Sequence, residues 1–452
     1  MKVLRKIVGR AFWGFLLIAV PVVFLFQVCD HLLDFGEDDI HDGREIPRPP
    51  WDYVDPESRV FTSAHWGPAW GRDGDREVIV FAYDEGRGSE DRGNVYGGSI
   101  YVVRASGGGL KRLSSSVGDG RSRGGYKLAY DVSPDVSPDG KTVAYATLRH
   151  AEQNAQMSVV TVGVNGGGRR KISTIDGSFT APVWSAGGER IAVVGIPRVG
   201  NLGVYVVTQD GSEPQSITPW TRWVRGFVKW SPDGTRLALV SNEETTEDGV
   251  QDWLDFLFTV DADGSNVVEY GRVAGTPEWS PDGRTVAFNR DGDDEERGLY
   301  FGDTTTGDVT KVSDRNLWHM AWSPDGRVIW GLGSVPRARP HPSLPPLYSG
   351  LWEFEVSTHE RRNIDDSLGQ DRPSIGRILG LQWSPDGSRV AIVLNPSEKS
   401  SGGNQFVLMV VAADGSDRQV LVRSRPEGGL TTDEPDESRQ PLEASTVREV
   451  AR

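Results

Sequence analysis

Tryptophan, arginine and histidine side chains gather in a few irregular stretches of an acidic chain, whose net charge is −15. Tryptophan offers a large rigid surface and arginine a forked set of hydrogen-bond donors, so both are frequent in binding sites. We expect them to bind a protein segment that carries acidic residues. The alternative is that the tryptophans pack beneath their own loops and the arginines pair with nearby carboxylates. The residues are Trp220, Arg222, Trp223, Arg225, Arg315, Trp318, His319, Arg372 and Arg377.

Patterns that would indicate catalysis are weak. Residues 120–124 match Gly-x-Ser-x-Gly around Ser122, but a nucleophile elbow needs an apolar strand before the serine and a helix after it, and neither is indicated here. Only His319 of the seven histidines falls on an expected innermost strand, whereas a metal site needs several converging ligands. The acidic stretches 243–248 and 291–296 lack the spacing of a calcium loop, so we expect them to be solvated. The sequence indicates no catalytic residue, metal or cofactor.

The elements that would position these side chains are organised by one repeated phrase, Trp-Ser-Pro-Asp-Gly. It is intact at residues 230–234, 279–283, 322–326 and 383–387, and looser copies start at residues 70, 136 and 184. Proline presets φ for the first central position of a turn, and glycine supplies the positive φ that leads out of it. The phrase therefore predicts a tight turn between two strands, repeated at a period of about 45 residues, which is typical of a propeller.

Each copy is followed by a short apolar strand, a third strand, a glycine-containing turn and a more polar fourth strand. Four strands in each of seven repeats predict an all-β, seven-bladed β-propeller over residues 61–423, with the tryptophans between neighbouring blades. The phrase resembles the repeat of the TolB-like, WD-repeat-like propeller family. The resemblance implies the fold and leaves the function open, because this fold hosts scaffolds, receptors and enzymes alike.

The loops of such a propeller separate onto two faces. If the strands of a blade run outward from the axis, antiparallel pairing places the Trp-Ser-Pro-Asp-Gly turn and the glycine-containing turn on one face. The long irregular connections then lie on the other face, which we call the variable face. Loops on a rigid scaffold commonly carry function, so the variable face is where we expect binding.

The first sixty residues predict a membrane anchor. Residues 1–10 are basic, and residues 11–29 carry no charge and are long enough to cross a bilayer as a helix. A cleaved signal peptide is the alternative, but no small-x-small cleavage site follows the apolar run. The positive-inside rule places the N-terminus in the cytoplasm and the propeller outside the cell membrane. Residues 30–60 are expected to be a linker, and residues 424–452 a disordered charged tail.

These features lead to a functional expectation. The acidic net charge argues against nucleic acid as a partner. We expect a membrane-anchored extracytoplasmic propeller that acts as a non-catalytic scaffold or receptor for a protein or peptide of the cell envelope. The alternative is an envelope hydrolase or lyase with its active site at the mouth of the propeller channel. Carboxylates or histidines clustered in the central channel would favour that alternative.

Overall fold

The computed structural model describes residues 67–84, 98–114, 129–151, 154–172, 177–197, 203–209, 215–218, 223–247, 250–291, 295–334, 349–364, 377–395, 406–424 and 430–432. These residues form only strands, turns and extended connections, in seven antiparallel sheets. The all-β, seven-bladed prediction is thereby confirmed. In the described part of the chain no helix has the length and apolar character that a membrane crossing requires. Residues 1–10, 11–29 and 30–60 lie outside that part, so the anchor stays a prediction.

Every blade pairs its strands in chain order. Blades one to three consist of β1 (Ala69–Asp73), β2 (Arg76–Asp84), β3 (Gly98–Arg104), β4 (Lys111–Arg112); β5 (Ala129–Val136), β6 (Thr142–Ala151), β7 (Asn154–Gly163), β8 (Arg170–Lys171); and β9 (Gly177–Trp184), β10 (Arg190–Pro197), β11 (Gly203–Thr208), β12 (Gln215–Ser216). Blades four and five consist of β13 (Trp223–Trp230), β14 (Arg236–Glu247), β15 (Val250–Asp261), β16 (Val268–Arg272); and β17 (Ala274–Trp279), β18 (Thr285–Arg290), β19 (Gly298–Asp303), β20 (Val309–Ser313). Blades six and seven consist of β21 (Trp318–Trp322), β22 (Val328–Ser334), β23 (Ser349–Glu355), β24 (Arg361–Asn363); and β25 (Arg377–Trp383), β26 (Arg389–Asn395), β27 (Val407–Ala412), β28 (Gln419–Ser424), β29 (Leu430–Thr432).

Blade seven has a fifth strand. Leu430–Thr432 pair with Val422–Ser424 of β28, within the segment for which the sequence predicts a disordered tail. The composition of that segment is polar and charged, so nothing in its local pattern indicates a strand. Pairing with the exposed edge of β28 supplies backbone hydrogen bonds that a short segment cannot form alone.

The first strand of each blade lies innermost. Each first strand contacts the first strands of both neighbouring blades, all the way round from β1 to β25 and back to β1. These seven strands form the wall of the central channel that a propeller encloses. The middle strands are covered on both faces, as in Ile79, Val80 and Phe81, which are fully buried. Burial on both faces explains why these strands are apolar in continuous runs.

The repeated turn is built as its sequence predicts. In blade seven, the Ser384 hydroxyl donates to Asp386 Oδ1 at 2.6 Å, and the backbone N–H of Ser388 donates to the same oxygen at 3.0 Å. The glycine that follows has φ of 70° in Gly387, a region that L side chains disfavour. A Cβ at Gly387 would lie 3.6 Å from Pro324 Cδ of the preceding blade, so the turns of neighbouring blades touch.

The tryptophan of the phrase joins neighbouring blades. Its indole N–H donates to a backbone carbonyl of the preceding innermost strand in four blades: Trp70 to Gln382, Trp230 to Val183, Trp279 to Lys229 and Trp383 to Ala321, at 3.0–3.1 Å. An arginine of the preceding blade covers three of the rings, with Arg190 over Trp230, Arg236 over Trp279 and Arg389 over Trp70, at 4.9–5.5 Å from the ring centre. We call this arrangement the blade clasp.

Blade seven meets blade one through the same clasp. Arg389 lies over Trp70 and forms an ion pair with Glu77 of blade one. Farther out, Phe406 of blade seven stacks on Phe81 of blade one at 5.3 Å. In the described residues no strand of one of these blades joins the sheet of the other, so side-chain contacts close the ring. Residues 60–62, which could add an edge strand at this junction, lie outside the described part.

Candidate functional site

The structure describes the side chains of only three residues of the aromatic and basic set, and all three belong to blade six. Arg315 is exposed in the segment that enters the blade, while Trp318 and His319 are half-buried in β21. The Trp318 ring packs against the core of blades six and seven, and a Cβ at Gly275 would lie 3.1 Å from it. Trp318 therefore has a packing role, as the alternative to a binding role supposed.

The side chains of the other six members lie outside the described part of the chain. The backbones of Trp223 and Arg225 lie in β13 and that of Arg377 in β25, on innermost strands of blades four and seven. Residues Trp220, Arg222 and Arg372 are outside the described part of the chain, as is Ser122 of the Gly-x-Ser-x-Gly match. A common site formed by all nine residues thus stays a prediction.

A different set of side chains lies at one repeated position of the innermost strands. These residues occupy the position immediately before the tryptophan of the phrase, or before Val136 in blade two, on the innermost strands. Four of the seven are polar or charged, and they are Asp135, Lys229, Glu278 and Gln382. The remaining blades have Ala69, Val183 and Ala321 there. Asp135, Lys229 and Gln382 each contact the next innermost strand, and Glu278 is the residue that Lys229 contacts.

Asp135 has the most perturbed environment of this set. Its Oδ2 accepts the backbone N–H of Trp184, on the next innermost strand, at 2.6 Å. Burial raises the pKa of the Asp135 carboxyl from 3.8 to about 6, although the N–H groups of Trp184 and Val136 and the charge of Lys229 oppose the rise. A carboxyl group that titrates near neutral pH can donate or accept a proton under working conditions.

Lys229 and Glu278 form an ion pair between the innermost strands of blades four and five. Lys229 Nζ lies 2.6 Å from Glu278 Oε1, with the side chains 36% and 17% exposed. The same ammonium group is close enough to lower the pKa of Asp135. The single ammonium group of Lys229 therefore interacts with two carboxyl groups. This part of the wall has a net negative charge when both carboxyl groups are ionised. We call Asp135, Lys229 and Glu278 the channel triad.

The innermost strands are irregular beside the triad. Their pairing with the second strand is interrupted by a register shift in six of the seven blades, all except blade one. Ser133, Gly275 and His319 have positive φ values of 53°, 79° and 49° at these interruptions. Such bulges redirect side chains and are common next to active sites. The expected placement of His319 on an innermost strand is confirmed.

No group of three or more His, Cys, Asp or Glu side chains in the described ranges is arranged to hold a metal ion. The triad itself offers two carboxyl groups and one ammonium group. The sequence analysis did not identify the triad because it sought binding residues in the long loops. Alignment of the seven copies on the tryptophan would have shown charges at a position that is alanine or valine in three blades.

Two family models match the chain. A TolB beta propeller domain matches residues 127–330, and a Lipoprotein LpqB beta-propeller domain matches residues 255–437. The chain carries a TolB-like β-propeller. The resemblance that the repeated phrase indicates is thereby confirmed, and the two matched ranges overlap over residues 255–330.

Two curated relatives of this TolB-like propeller are peptidases by name. Uncharacterized peptidase YuxL of Bacillus subtilis is 34% identical over 35% of this chain and 22% of its own length. Dipeptidyl-peptidase 5 of Porphyromonas gingivalis is 23% identical over 51% of this chain and 47% of its own length. The matched part is thus less than half of either relative.

Solved structures share the fold at low sequence identity. Puromycin hydrolase aligns with a TM-score of 0.53 and 15% identity, over 84% of this chain and 57% of that one. The β-propeller domain of the Trilobed protease from Pyrococcus furiosus aligns with a TM-score of 0.50 and 12% identity, over 78% and 93%. That domain is described as having an open velcro topology. These likenesses establish a common propeller architecture.

The expectation of a non-catalytic scaffold or receptor is wrong. The curated relatives named above are peptidases, and they favour the hydrolase alternative over the scaffold. The error came from reliance on missing local motifs, although a propeller gathers its functional side chains from several blades. Carboxyl groups in the channel were the feature stated to favour the alternative, and the triad supplies two of them.

Proposed function

We propose that this chain supplies the propeller of a hydrolase that acts on peptides or peptide-like amides. The observation that carries the proposal is the sequence likeness of the TolB-like propeller to two curated peptidases. Both relatives are longer than the matched segment, so the proposal concerns the propeller and its part in handling the substrate.

The channel triad is the proposed contact with the substrate. Peptide bonds and terminal groups offer donors and acceptors that suit carboxyl and ammonium groups on a channel wall. Asp135 has a raised pKa of about 6, which is the range in which a carboxyl group exchanges protons effectively at neutral pH. Glu278, held by Lys229 at 2.6 Å, is the second carboxyl group on the same wall.

The test measures hydrolysis and binding with the full chain in detergent. Aminoacyl and dipeptidyl amides of 7-amino-4-methylcoumarin serve as substrates, and released fluorophore and calorimetric binding are both recorded. The variants are Asp135→Asn and Glu278→Gln, which keep the side-chain shape and remove the charge. Asp263→Asn, on an exposed outer turn, is the matched control. We expect hydrolysis by the parent and the control, and a loss of about tenfold or more in kcat/KM in both channel variants.

Each other outcome is informative. Equal hydrolysis by all four proteins would reject the triad as the substrate contact. Binding that depends on Asp135 and Glu278 without any hydrolysis would reject catalysis by this chain and retain substrate binding. Neither binding nor hydrolysis of any substrate would overturn the proposal.

A further inference from the structure

Arg361 occupies an unusual position where the segment from blade five enters blade six. Its guanidinium group lies over the Trp352 ring, 5.4 Å from the ring centre. Its Nη1 and Nη2 atoms donate to the backbone carbonyls of Arg315 and Asn316 at 3.2 and 3.3 Å. The side chain is half-buried, whereas Arg315 is exposed directly beside it. Two arginines therefore lie together at the variable face of blade six.

The charges of these arginines are not balanced by the described carboxylates. Burial and, to a smaller extent, the charge of Arg315 lower the pKa of Arg361 to about 10. Two acidic side chains close in sequence to Trp352 and Arg315 are engaged elsewhere, because Glu353 accepts from Arg362 at 3.0 Å and Asp314 pairs with Lys311 at 2.9 Å. In the described ranges, neither Arg315 nor Arg361 has a carboxylate partner.

Polar atoms around the pair also lack partners. Arg361 Nε, Trp352 Nε1 and Asn316 Oδ1 are buried without a hydrogen bond to any described residue. Unsatisfied buried polar atoms are rare in folded proteins and call for an explanation. Two of these atoms, Arg361 Nε and Trp352 Nε1, carry N–H donors, which indicates that an acceptor group belongs here.

Blade five contains a natural comparison. Arg290 also stacks on an aromatic ring, 4.6 Å from the centre of Tyr300, and donates to the Tyr270 carbonyl at 2.8 Å. Its Nε atom is likewise buried without a partner, so this feature alone is not distinctive. The second arginine is what distinguishes Arg361, whose guanidinium group donates to the backbone of Arg315 and Asn316.

We propose that Arg315 and Arg361 together bind a carboxylate group of a small peptide at the variable face of blade six. A guanidinium group presents parallel donors that match the two oxygens of a carboxylate, and charge-assisted bonds of this kind are the strong ones. Arg315 is exposed, so a ligand can reach it from solvent. Arg361 is stacked on Trp352, which fixes the orientation of its guanidinium group. The carboxylate comes from a peptide C-terminus or from an acidic side chain. This inference is independent of the proposed hydrolase activity.

The test measures binding without turnover. N-acetyl-Ala-Ala carries a terminal carboxylate, its carboxamide has none, and the α-amide of N-acetyl-aspartic acid carries only a side-chain carboxylate. Each is titrated into the full chain at constant ionic strength and followed by calorimetry and thermal unfolding. We expect a Kd on the order of 1 mM for a carboxylate ligand and a Tm rise of about 1–3 °C at twentyfold excess over Kd. The carboxamide should leave Tm unchanged. Comparison of the two acids shows whether the site binds a terminal or a side-chain carboxylate.

The variants separate binding from stability. Arg315→Ala changes an exposed side chain and should weaken binding about tenfold or more without loss of fold. Arg361→Lys should weaken it similarly, because an ammonium group cannot offer the forked donors. Arg290→Lys removes the same kind of stacked arginine from blade five and should leave binding unchanged. Equal binding in Arg315→Ala and the parent would overturn the proposal.

The chain's own acidic residues are the competing occupant. Asp365 and Asp366 follow β24 and lie outside the described residues. If they neutralise the arginines, the parent will show no carboxylate binding, and the double variant Asp365→Asn, Asp366→Asn will gain it. That result would overturn an external ligand and assign the pair to the chain itself.

Discussion

Asp135 illustrates how the environment changes the chemistry of one side chain. Aspartate also stands in the repeated turns, where local hydroxyl and N–H donors lower its pKa, to about 2 in Asp386. Asp135 accepts the Trp184 N–H as well, yet burial on the channel wall outweighs that bond and raises its pKa to about 6. The same residue type therefore has opposite shifts within one chain, and only the raised one suits proton exchange near neutral pH.

The raised pKa of Asp135 predicts a pH-dependent effect on stability. Between its ordinary value of 3.8 and about 6, the folded state binds more protons than the unfolded state, so this carboxyl's contribution to stability falls as pH rises. Above pH 6 the penalty is complete, at about 1–3 kcal/mol. Asp135→Asn keeps an oxygen for the Trp184 N–H and removes the penalty. We expect the Tm of the variant to exceed that of the parent at pH 7.5 and to equal it near pH 4.

Thermal unfolding across pH 4–8 checks this prediction. Asp75→Asn, in an exposed turn of blade one, is a suitable control and should follow the parent. Parallel Tm profiles for the parent and Asp135→Asn would contradict a raised pKa for Asp135, and with it the proposed role of this carboxyl group in proton exchange.

At the scale of the element, the repeated turn stabilises each blade locally. One aspartate oxygen accepts hydrogen bonds from the hydroxyl of the serine two residues before it and from the backbone N–H two residues after it. The arrangement recurs with the same distances, within 0.1 Å, at Asp139, Asp233, Asp282, Asp325 and Asp386. A turn whose hydrogen bonds lie within five residues depends little on the rest of the chain, which explains its accurate prediction from the sequence.

Removal of the turn carboxylate should cost a modest amount of stability. Asp386→Ala loses the bonds from Ser384 and Ser388, and we expect the free energy of unfolding to fall by about 1 kcal/mol at pH 7. Because the folded pKa is lowered to about 2, this contribution is present above pH 4 and disappears as pH falls toward 2. Urea unfolding at pH 7 and pH 3 measures the difference. A deficit that does not shrink at pH 3 would contradict an ionic origin.

At the scale of the whole molecule, the ring closes by the same contacts that join its interior blades. Trp70 donates to the Gln382 carbonyl at 3.0 Å, across 312 residues of sequence, as Trp279 donates to Lys229 across 50. Interior blades are also joined by the continuous chain that runs from one to the next. The junction of blades seven and one depends on side chains alone in the described residues, so it should be the place where loss of a clasp matters most.

The clasp arginines provide a matched comparison. Arg389→Ala removes the cover of Trp70 and the ion pair with Glu77, while Arg236→Ala removes the cover of Trp279 at an interior junction. We expect Arg389→Ala to accelerate amide hydrogen exchange throughout β1 and β25 by about tenfold or more, because the ring opens there. Arg236→Ala should accelerate exchange only close to Gly283 and Thr304, whose carbonyls it bonds.

Hydrogen exchange followed by mass spectrometry resolves the two patterns. A similar local response in both variants would indicate that the seventh and first blades are joined as firmly as the others. In that case a further connection must exist between these blades, and the N-terminal residues before Gly67 would be the first place to seek it.

The sequence by itself determined the repeat, the number of blades, the turn geometry and the place of the tryptophans between blades. Each of these follows from interactions within a few residues or from a pattern that recurs along the chain. The identification of His319 as an innermost residue followed from the same periodicity. Local hydrogen bonds and alternating burial are encoded where they act, so they can be inferred without coordinates.

Only the tertiary structure decided which side chains meet. Asp135 contacts a strand that lies 49 residues away, and the pairing of Lys229 with Glu278 depends on the rotation between blades. The clustering of Arg361 with Arg315, and the pairing of β29 with β28, likewise follow from the packing of distant segments. Burial and charge at a site are sums over neighbours from several blades. A local pattern cannot supply those sums, which is why a reading of the loops alone missed the channel triad.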